Sequence, residues 1–277
     1  MLITLGRGFN GPARKKTDKS LKAVIASCVF DVDATITESY AGTGQTWANI
    51  VPNPADGSTK TAYDFYLGAT SGASSDDPTF TGSAGNAAAY FMLDGGDVCS
   101  LKSGTNTNFL NNLHKTTGGT DFWMAIALYV ADQTAVSVAL STKTTASTIG
   151  FNAQFSATEQ VRFQQTGDSA ATTITSATDH SAITIGTPTL IIASYSGGTL
   201  RSWVNGRTKV ARTMAFNTTN TPASGYLTIG GQGAGGTSKL SNGTRIYAVS
   251  MGNGYIDDAQ AALIFNAYNT RHGRTYA

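Results

Sequence analysis

Alternating apolar and polar positions recur along most of the chain, and they predict short β-strands. Residues 30–36 alternate in this way, and residues 62–67 and 90–93 form further short apolar segments. Period-two alternation is typical of a strand with one buried face. Residues 121–131 differ because both sets of alternate positions are apolar, which predicts a central strand covered on both sides.

Turn signals divide the second half of the chain into further strand segments. Predicted strands lie at residues 135–141, 148–155, 160–165, 172–176, 190–195, 200–204, 226–230 and 245–251. Residues 196–199 contain two glycines, and Asn205-Gly206 is the strongest hairpin signal, because these residue types accept positive φ. Short strands joined by tight turns predict an all-β fold, a two-sheet antiparallel sandwich.

The spacing of the apolar positions changes near the C-terminus, where residues 257–272 predict a short α-helix. Its apolar stripe consists of Ala261, Ile264, Phe265 and Tyr268. Asp257 or Asp258 can cap its N-terminus, and Gly273 can end it. Arg271 and His272 lie in the last turn, where positive charge interacts favourably with the helix dipole.

The sequence predicts an irregular N-terminal arm, residues 1–27, followed by one sandwich, residues 28–277. Two long loops, 39–61 and 68–88, are rich in small and polar residues, and such loops are often functional or lie against a partner. The alternation in the first strand places Asp31 and Asp33 on its solvent face.

Charge is distributed unevenly along the chain. The first 22 residues carry a net charge of +5, whereas the remaining residues carry −3. The basic residues of the arm are Arg7, Arg14, Lys15, Lys16, Lys19 and Lys22. Such an arm can dock on an acidic surface or on phosphates, or it can simply be solvated, and charge alone leaves both interpretations open.

Composition and termini exclude several classes of protein. A 40% hydrophobic content with 12 Phe and 11 Tyr excludes a disordered chain, and no apolar run is long enough to cross a membrane. The N-terminus does not resemble a secretory signal, so we expect synthesis in the cytoplasm without general secretion. Cys28 and Cys99 could pair, but two unpaired buried thiols are favoured.

Several strand and turn segments resemble the concanavalin A-like lectin/glucanase superfamily, in its laminin-G-like branch. The resemblance lies in the order and spacing of residues 122–130, 190–198, 200–206, 227–231 and 245–260. It implies a jelly-roll sandwich. The basic arm and the Gly/Thr/Ala-rich loops around residues 46–50 resemble tailed-bacteriophage virion proteins.

Candidate chemistry is sparse. Enzymes of that superfamily carry a Glu-x-Asp-x-x-Glu pattern on one strand, whereas this chain has only Glu38 and Glu159, far apart in sequence. We therefore expect no enzymatic activity and no cofactor. Asp94 and Asp97, with the neighbouring pair at 76–77, are weak candidates for Ca²⁺ ligands, but turn formation explains them more simply.

Two tryptophans are candidates for glycan binding. Trp47 and Trp203 could stack on a sugar ring, although a position in the core is favoured for both.

The leading hypothesis is a non-enzymatic structural protein of a phage virion, either a capsid decoration or a tail-associated protein. Its arm would dock on the major capsid or tail protein, its copies would form a homo-oligomer, and it would reside in the virion with no membrane or nucleic-acid partner. One alternative is a lectin-like module that binds a host-surface glycan. The other is a divergent glycoside hydrolase.

Overall fold

The computed structural model shows two antiparallel sheets and a C-terminal helix, which confirms the predicted all-β sandwich. It describes residues 18–115, 119–157, 161–166, 173–175, 183–206, 209–213, 221–233 and 238–276. All structural statements below concern these residues.

The first sheet contains eight strands. They are β1 (Cys28–Asp33), β4 (Thr79–Thr81), β5 (Tyr90–Met92), β7 (Phe122–Tyr129), β12 (Pro188–Ser196), β13 (Thr199–Val204), β14 (Val210–Thr213) and β16 (Arg245–Asn253). Their order is β14, β13, β12, β7, β16, β5, β4. Strand β16 pairs with β5 through Arg245 and Ile246, and with β1 through its later residues, so both strands lie on one side of it.

The second sheet also contains eight strands. They are β2 (Thr46–Trp47), β3 (Phe65–Leu67), β6 (Cys99–Leu101), β8 (Ser137–Ser141), β9 (Gly150–Phe155), β10 (Val161–Thr166), β11 (Thr173–Thr175) and β15 (Thr228–Ile229). Their order is β11, β10, β9, β8, β15, β6, β3, β2. The loops predicted at 39–61 and 68–88 are thus interrupted by β2 and β4, both too short to give a clear alternation.

Strand β7 is central in the first sheet, as its two apolar faces predict. Met124 and Ile126 point into the main core between the sheets. Trp123 and Ala125 point the other way, into a second core beneath the C-terminal helix. The domain therefore has three layers, two sheets and one helix, because β7 needs cover on both faces.

The two hairpin signals form turns as predicted. Gly197 and Gly198 join β12 to β13 with φ of 54° and 81°. Asn205 and Gly206 follow β13 with φ of 49° and 69°, and β13 pairs with β14. The Asn205 side chain also accepts a hydrogen bond from Leu190 N at 2.8 Å, which ties the turn to β12.

The helices comprise α1 (Asn108–Asn112) and α2 (Asp258–His272), with 3-10 turns at Leu21–Ala23 and Lys60–Tyr63. The structure assigns the α2 N-cap to Asp257, whose side chain accepts from Gln260 N at 2.8 Å. Gln260 completes a capping box by accepting from Asp257 N at 3.2 Å. Gly273 ends the helix in the left-handed conformation, as predicted.

A buried ionic cluster connects β1 to α2, and it corrects the predicted exposure of Asp31 and Asp33. Both aspartates are fully buried, because α2 covers the face of β1 that the alternation assigns to solvent. Arg271 Nη2 lies 2.9 Å from Asp31 Oδ2, and Arg271 Nη1 lies 3.5 Å from Asp33 Oδ2. His272 Nε2 lies 3.2 Å from the same Asp33 oxygen.

Hydrogen bonds complete this cluster. Leu21 N donates to Asp31 Oδ2 at 2.7 Å, and Ser250 Oγ donates to Asp31 Oδ1 at 2.7 Å. Burial disfavours the charged form of Asp33, but the adjacent His272 and Arg271 outweigh it and hold the pKa of this carboxyl below its ordinary value. The stability that Asp33 contributes is therefore present at neutral pH and is lost as the pH falls through that lowered pKa.

The part of the predicted arm that the structure describes packs against the sandwich. Leu21 and Ile25 are buried in the second core. Lys19 pairs with Glu38 at 3.0 Å, and Lys22 donates to the carbonyl of Asn53. The other predicted docking residues, Arg7, Arg14, Lys15 and Lys16, lie outside the described residues.

Among the described residues, no helix has both the length and the apolar character needed to cross a membrane. Cys28 and Cys99 are both buried and free. They lie in different strands, β1 and β6, of different sheets.

We predict that Arg271→Met destabilises the fold by about 3–5 kcal/mol, because it leaves two buried carboxylates without their shared partner. Urea unfolding at pH 7 measures the loss. Arg274→Met is the matched control, since Arg274 stacks 4.2 Å from the Tyr247 ring centroid and forms no ion pair among the described residues. This substitution should lower the free energy of unfolding by about 1 kcal/mol or less. Equal losses in the two variants would contradict the role given to the cluster.

Candidate functional site

A cleft of about 460 Å³ lies where the end of β13 meets the first half of α2. Its polar and aromatic lining includes Trp203, Lys209, Asp258, Phe265, Asn266 and Tyr276. The hairpin turn after β13 brings Lys209 to one side of the cleft, and the capping box fixes the first turn of α2 on the other side.

Asp258 is the best-defined polar group of the cleft. Trp203 Nε1 donates to its Oδ1 at 3.0 Å, and Lys209 Nζ lies 2.8 Å from its Oδ2. The hydrogen bonds from Lys209 and then from Trp203 lower the pKa of Asp258 below its ordinary value. The carboxylate is thus ionised and oriented at the cleft, although its side chain is 64% exposed.

Trp203 contributes its indole N–H to the cleft, at the edge of the ring. The side chain is only 5% exposed and belongs to the second core, so its ring faces are covered by protein. Its indole N–H orients Asp258, while Asn266 is exposed on the next turns of α2 and offers an amide donor and acceptor. The cleft therefore combines aromatic walls with a carboxylate, an ammonium group and an amide.

Trp47, the other tryptophan proposed for glycan stacking, lies inside the main core. It is fully buried, and its ring centroid lies 4.8 Å from that of Phe91. The alternation around Trp47 is too short to show which face of β2 is buried. The ring has no exposed face for a sugar, so the structure places this residue in the core instead.

A second cleft, of about 470 Å³, has an uncharged lining that includes Asn106, Asn111, Thr144 and Tyr226. Asn106 holds its two walls together, because its Nδ2 donates to Gly225 O at 2.8 Å and its Oδ1 accepts from Leu227 N at 2.9 Å. These residues lie some 120 positions apart in the chain, so no local pattern indicates the cleft.

Asp94 and Asp97 form a turn between β5 and β6. Asp97 Oδ2 accepts from Asp94 N at 2.8 Å, and Asp94 Oδ1 accepts from Gly96 N at 2.7 Å. Burial, reinforced by the nearby negative charge of Asp94, raises the pKa of Asp97 to about 6. No group of three or more His, Cys, Asp or Glu side chains in the described part of the chain is arranged to hold a metal ion.

Glu38 lies beside a third cleft, of about 410 Å³, which is lined by Lys19, Thr37 and Arg271 among others. Its carboxylate pairs with Lys19, and the nearest acids along the chain, Asp31 and Asp33, are buried in the ionic cluster. Glu159 lies outside the described residues. At the third cleft, Glu38 therefore does not form an exposed pair of acids with Asp31 or Asp33.

No family model matches this sequence, and no curated protein matches it either. Solved structures do share the fold. A Trypanosoma rangeli sialidase in complex with sialic acid aligns with 88% of this chain at 10% identity and a TM-score of 0.53. A mutant of that sialidase displaying trans-sialidase activity aligns with 90% of the chain at 11% identity and a TM-score of 0.52.

This chain covers only 33% and 34% of those two sialidase chains, so the likeness concerns about a third of each enzyme. At such identity it establishes the fold and transfers no catalytic residue. It nevertheless contradicts the expectation of a non-enzymatic virion structural protein, because these solved structures that share the fold are of a sialidase and not of a virion protein. The expectation that the chain is not an enzyme is contradicted by the same finding, since those solved structures are of an enzyme.

Proposed function

We propose that this chain is a carbohydrate-active protein of the glycoside hydrolase type, and that its sandwich binds a glycan in the cleft beside α2. The observation that carries the proposal is the convergence of Asp258, Lys209 and Asn266 on one aromatic-walled cleft. The sialidase-like fold supports a carbohydrate as the ligand.

Sugars present closely spaced hydroxyl groups that both donate and accept hydrogen bonds. A carboxylate, an ammonium group and an amide at one cleft match this pattern. The aromatic side chains of the lining are almost fully buried, so they shape the cleft and leave recognition of the sugar to these polar groups. Asp258 is already held by Trp203 and Lys209, so little conformational freedom is lost when a ligand binds.

The ordered resemblance to concanavalin A-like lectins supports the same proposal, because lectin domains of that class bind sugars. The sialidase with a similar fold was solved with sialic acid, so sialylated glycans are the first ligands to test. Neutral glycans of the same core structure are the natural comparison.

We predict that Asn266→Ala weakens glycan binding about tenfold, the effect of losing roughly 1.4 kcal/mol of hydrogen bonding. Glycan-array screening identifies the ligand, and isothermal titration calorimetry measures the dissociation constant. Asn242→Ala is the matched control, since Asn242 is also exposed but does not line the cleft. A folded wild-type protein that binds no glycan, or equal effects of the two substitutions, would refute the proposal.

We predict that Trp203→Phe weakens glycan binding by a few-fold with little loss of stability. Phenylalanine keeps an aromatic ring in the second core but removes the N–H that orients Asp258, so the pKa of Asp258 should rise toward its ordinary value. Carboxyl-carbon NMR titration follows that pKa. Trp123→Phe is the control, because its N–H donates to Ser27 Oγ at 3.0 Å, and it should leave Asp258 unchanged.

Hydrolysis of a glycosidic bond by this chain itself is a second candidate function, and the Asp94–Asp97 turn is the observation that favours it. Glycosidases use two carboxyl groups, one of them protonated to act as general acid. Asp97, with a pKa of about 6, is largely protonated in mildly acidic solution, and Asp94 supplies an exposed carboxyl beside it.

We predict that, if this pair is catalytic, Asp97→Asn lowers turnover of a fluorogenic sialoside at pH 5–6 at least about a hundredfold. The substitution should also stabilise the fold above pH 6, because wild-type Asp97 must then ionise at a buried position. The two proteins should become equally stable below about pH 4, where Asp97 is protonated in both the folded and the unfolded chain. Wild-type protein without turnover would remove this second function and leave the glycan-binding proposal intact.

A further inference from the structure

We propose that Arg245 is a receptor for the carboxylate of an acidic sugar, on the outer face of the first sheet. Arg245 begins β16, with Met92 of β5 opposite on one side and Tyr129 of β7 opposite on the other. It shares no residue with the cleft beside α2.

Two tyrosine rings hold the guanidinium of Arg245. Its central carbon lies 4.4 Å from the ring centroid of Tyr129 and 4.9 Å from that of Tyr90. Both distances are within the range of cation–π attraction. Because the two rings belong to strands on opposite sides of β16, they fix the side chain from both directions and leave the guanidinium edge as its polar contact surface.

Arg245 has no ion-pair partner within the part of the chain that the structure describes. Arg271, by contrast, contacts two carboxylates. The Nε atom of Arg245 is buried and has no hydrogen-bond acceptor among the described residues, so a ligand would meet the terminal amino groups of the partly exposed side chain. A guanidinium that is partly removed from water gains more from an arriving anion than a fully hydrated one does.

The site is open to a small ligand. Arg245, Tyr90 and Tyr129 are all partly exposed, and Met92 beside them is 39% exposed. The planar guanidinium can donate two parallel hydrogen bonds, which matches the two oxygens of a carboxylate. The Met92 side chain offers an apolar contact for the body of the molecule that carries that carboxylate.

A second arginine adds positive charge to this face. Arg274 stacks over Tyr247 at 4.2 Å, and Tyr247 meets Tyr90 edge to face with centroids 5.9 Å apart. Arginine and tyrosine therefore alternate across the outer face of the sheet. Arg274 thus adds a second positive charge on the face that carries Arg245.

The choice of a sugar as the molecule that carries the carboxylate rests on the proposed function. The geometry of the Arg245 site does not depend on that function. A free inorganic anion shares the same chemistry and is distinguished by the experiment below. The probes are glucuronate, its uncharged counterpart glucose, and inorganic sulfate.

The experiment measures binding of each probe by NMR, with the methionine methyl groups of the full chain labelled. We expect glucuronate to bind at least tenfold more tightly than glucose or sulfate, and to shift the Met92 signal while the buried Met124 and Met251 signals stay in place. Arg245→Gln should abolish the preference for glucuronate, and Arg245→Lys should weaken it, because an ammonium group cannot donate in the same bidentate manner. Arg201→Gln is the control, since within the described part of the chain Arg201 stacks on a single ring, that of Tyr255 at 4.7 Å.

Equal binding of glucuronate and glucose, or an unchanged preference in Arg245→Gln, would overturn the proposal. Sulfate binding as tight as glucuronate would assign the site to free anions and overturn the acidic sugar. Asn266→Ala removes contacts at the cleft and should leave the Met92 shift intact. The experiment therefore distinguishes a failure of the Arg245 proposal from a failure of the glycan-binding proposal for the cleft.

Discussion

The buried pairing of Arg271 with Asp31 and Asp33 is the interaction on which the arrangement of the domain depends. It joins the first strand to the last helix, and His272, Ser250 and the backbone of Leu21 complete it. Two carboxylates enclosed beneath a helix are stable only while their counter-charges remain in place. The cluster therefore fixes the position of α2 on the sheet more specifically than its apolar stripe could, since apolar contacts tolerate sliding.

The position of α2 in turn determines both candidate binding regions. Its first turn places Asp258 within reach of the Trp203 indole, and its C-terminal end brings Arg274 over Tyr247. The apolar outer face of the first sheet is thus covered in the middle and polar at its margins. Glycan recognition in this domain would depend on a helix that a buried ion pair, distant from the ligand, keeps in register.

Local pattern predicted the sandwich, the central strand β7, the hairpin turns and the limits of α2, because each depends on residues close together in sequence. It failed for Asp31 and Asp33, since alternation cannot show that a helix from the other end of the chain covers the polar face. Trp203 was recognised as a candidate, but its bond to Asp258 joins positions 55 residues apart. Arg245 carried no signal, because the rings that hold it come from two separate strands.

The contacts of β1 with β16 and α2, which lie far along the chain, have a consequence for biosynthesis. Strand β1 forms its ladder with β16, and its two carboxylates pair with basic side chains of the helix that follows β16. During translation β1 must therefore stay unpaired until Arg271, 238 residues after Asp33, has been synthesised. Such long-range closure makes folding slow and leaves an unprotected strand edge meanwhile. The paired acids of β1 keep that waiting strand charged, which discourages it from pairing with another nascent chain.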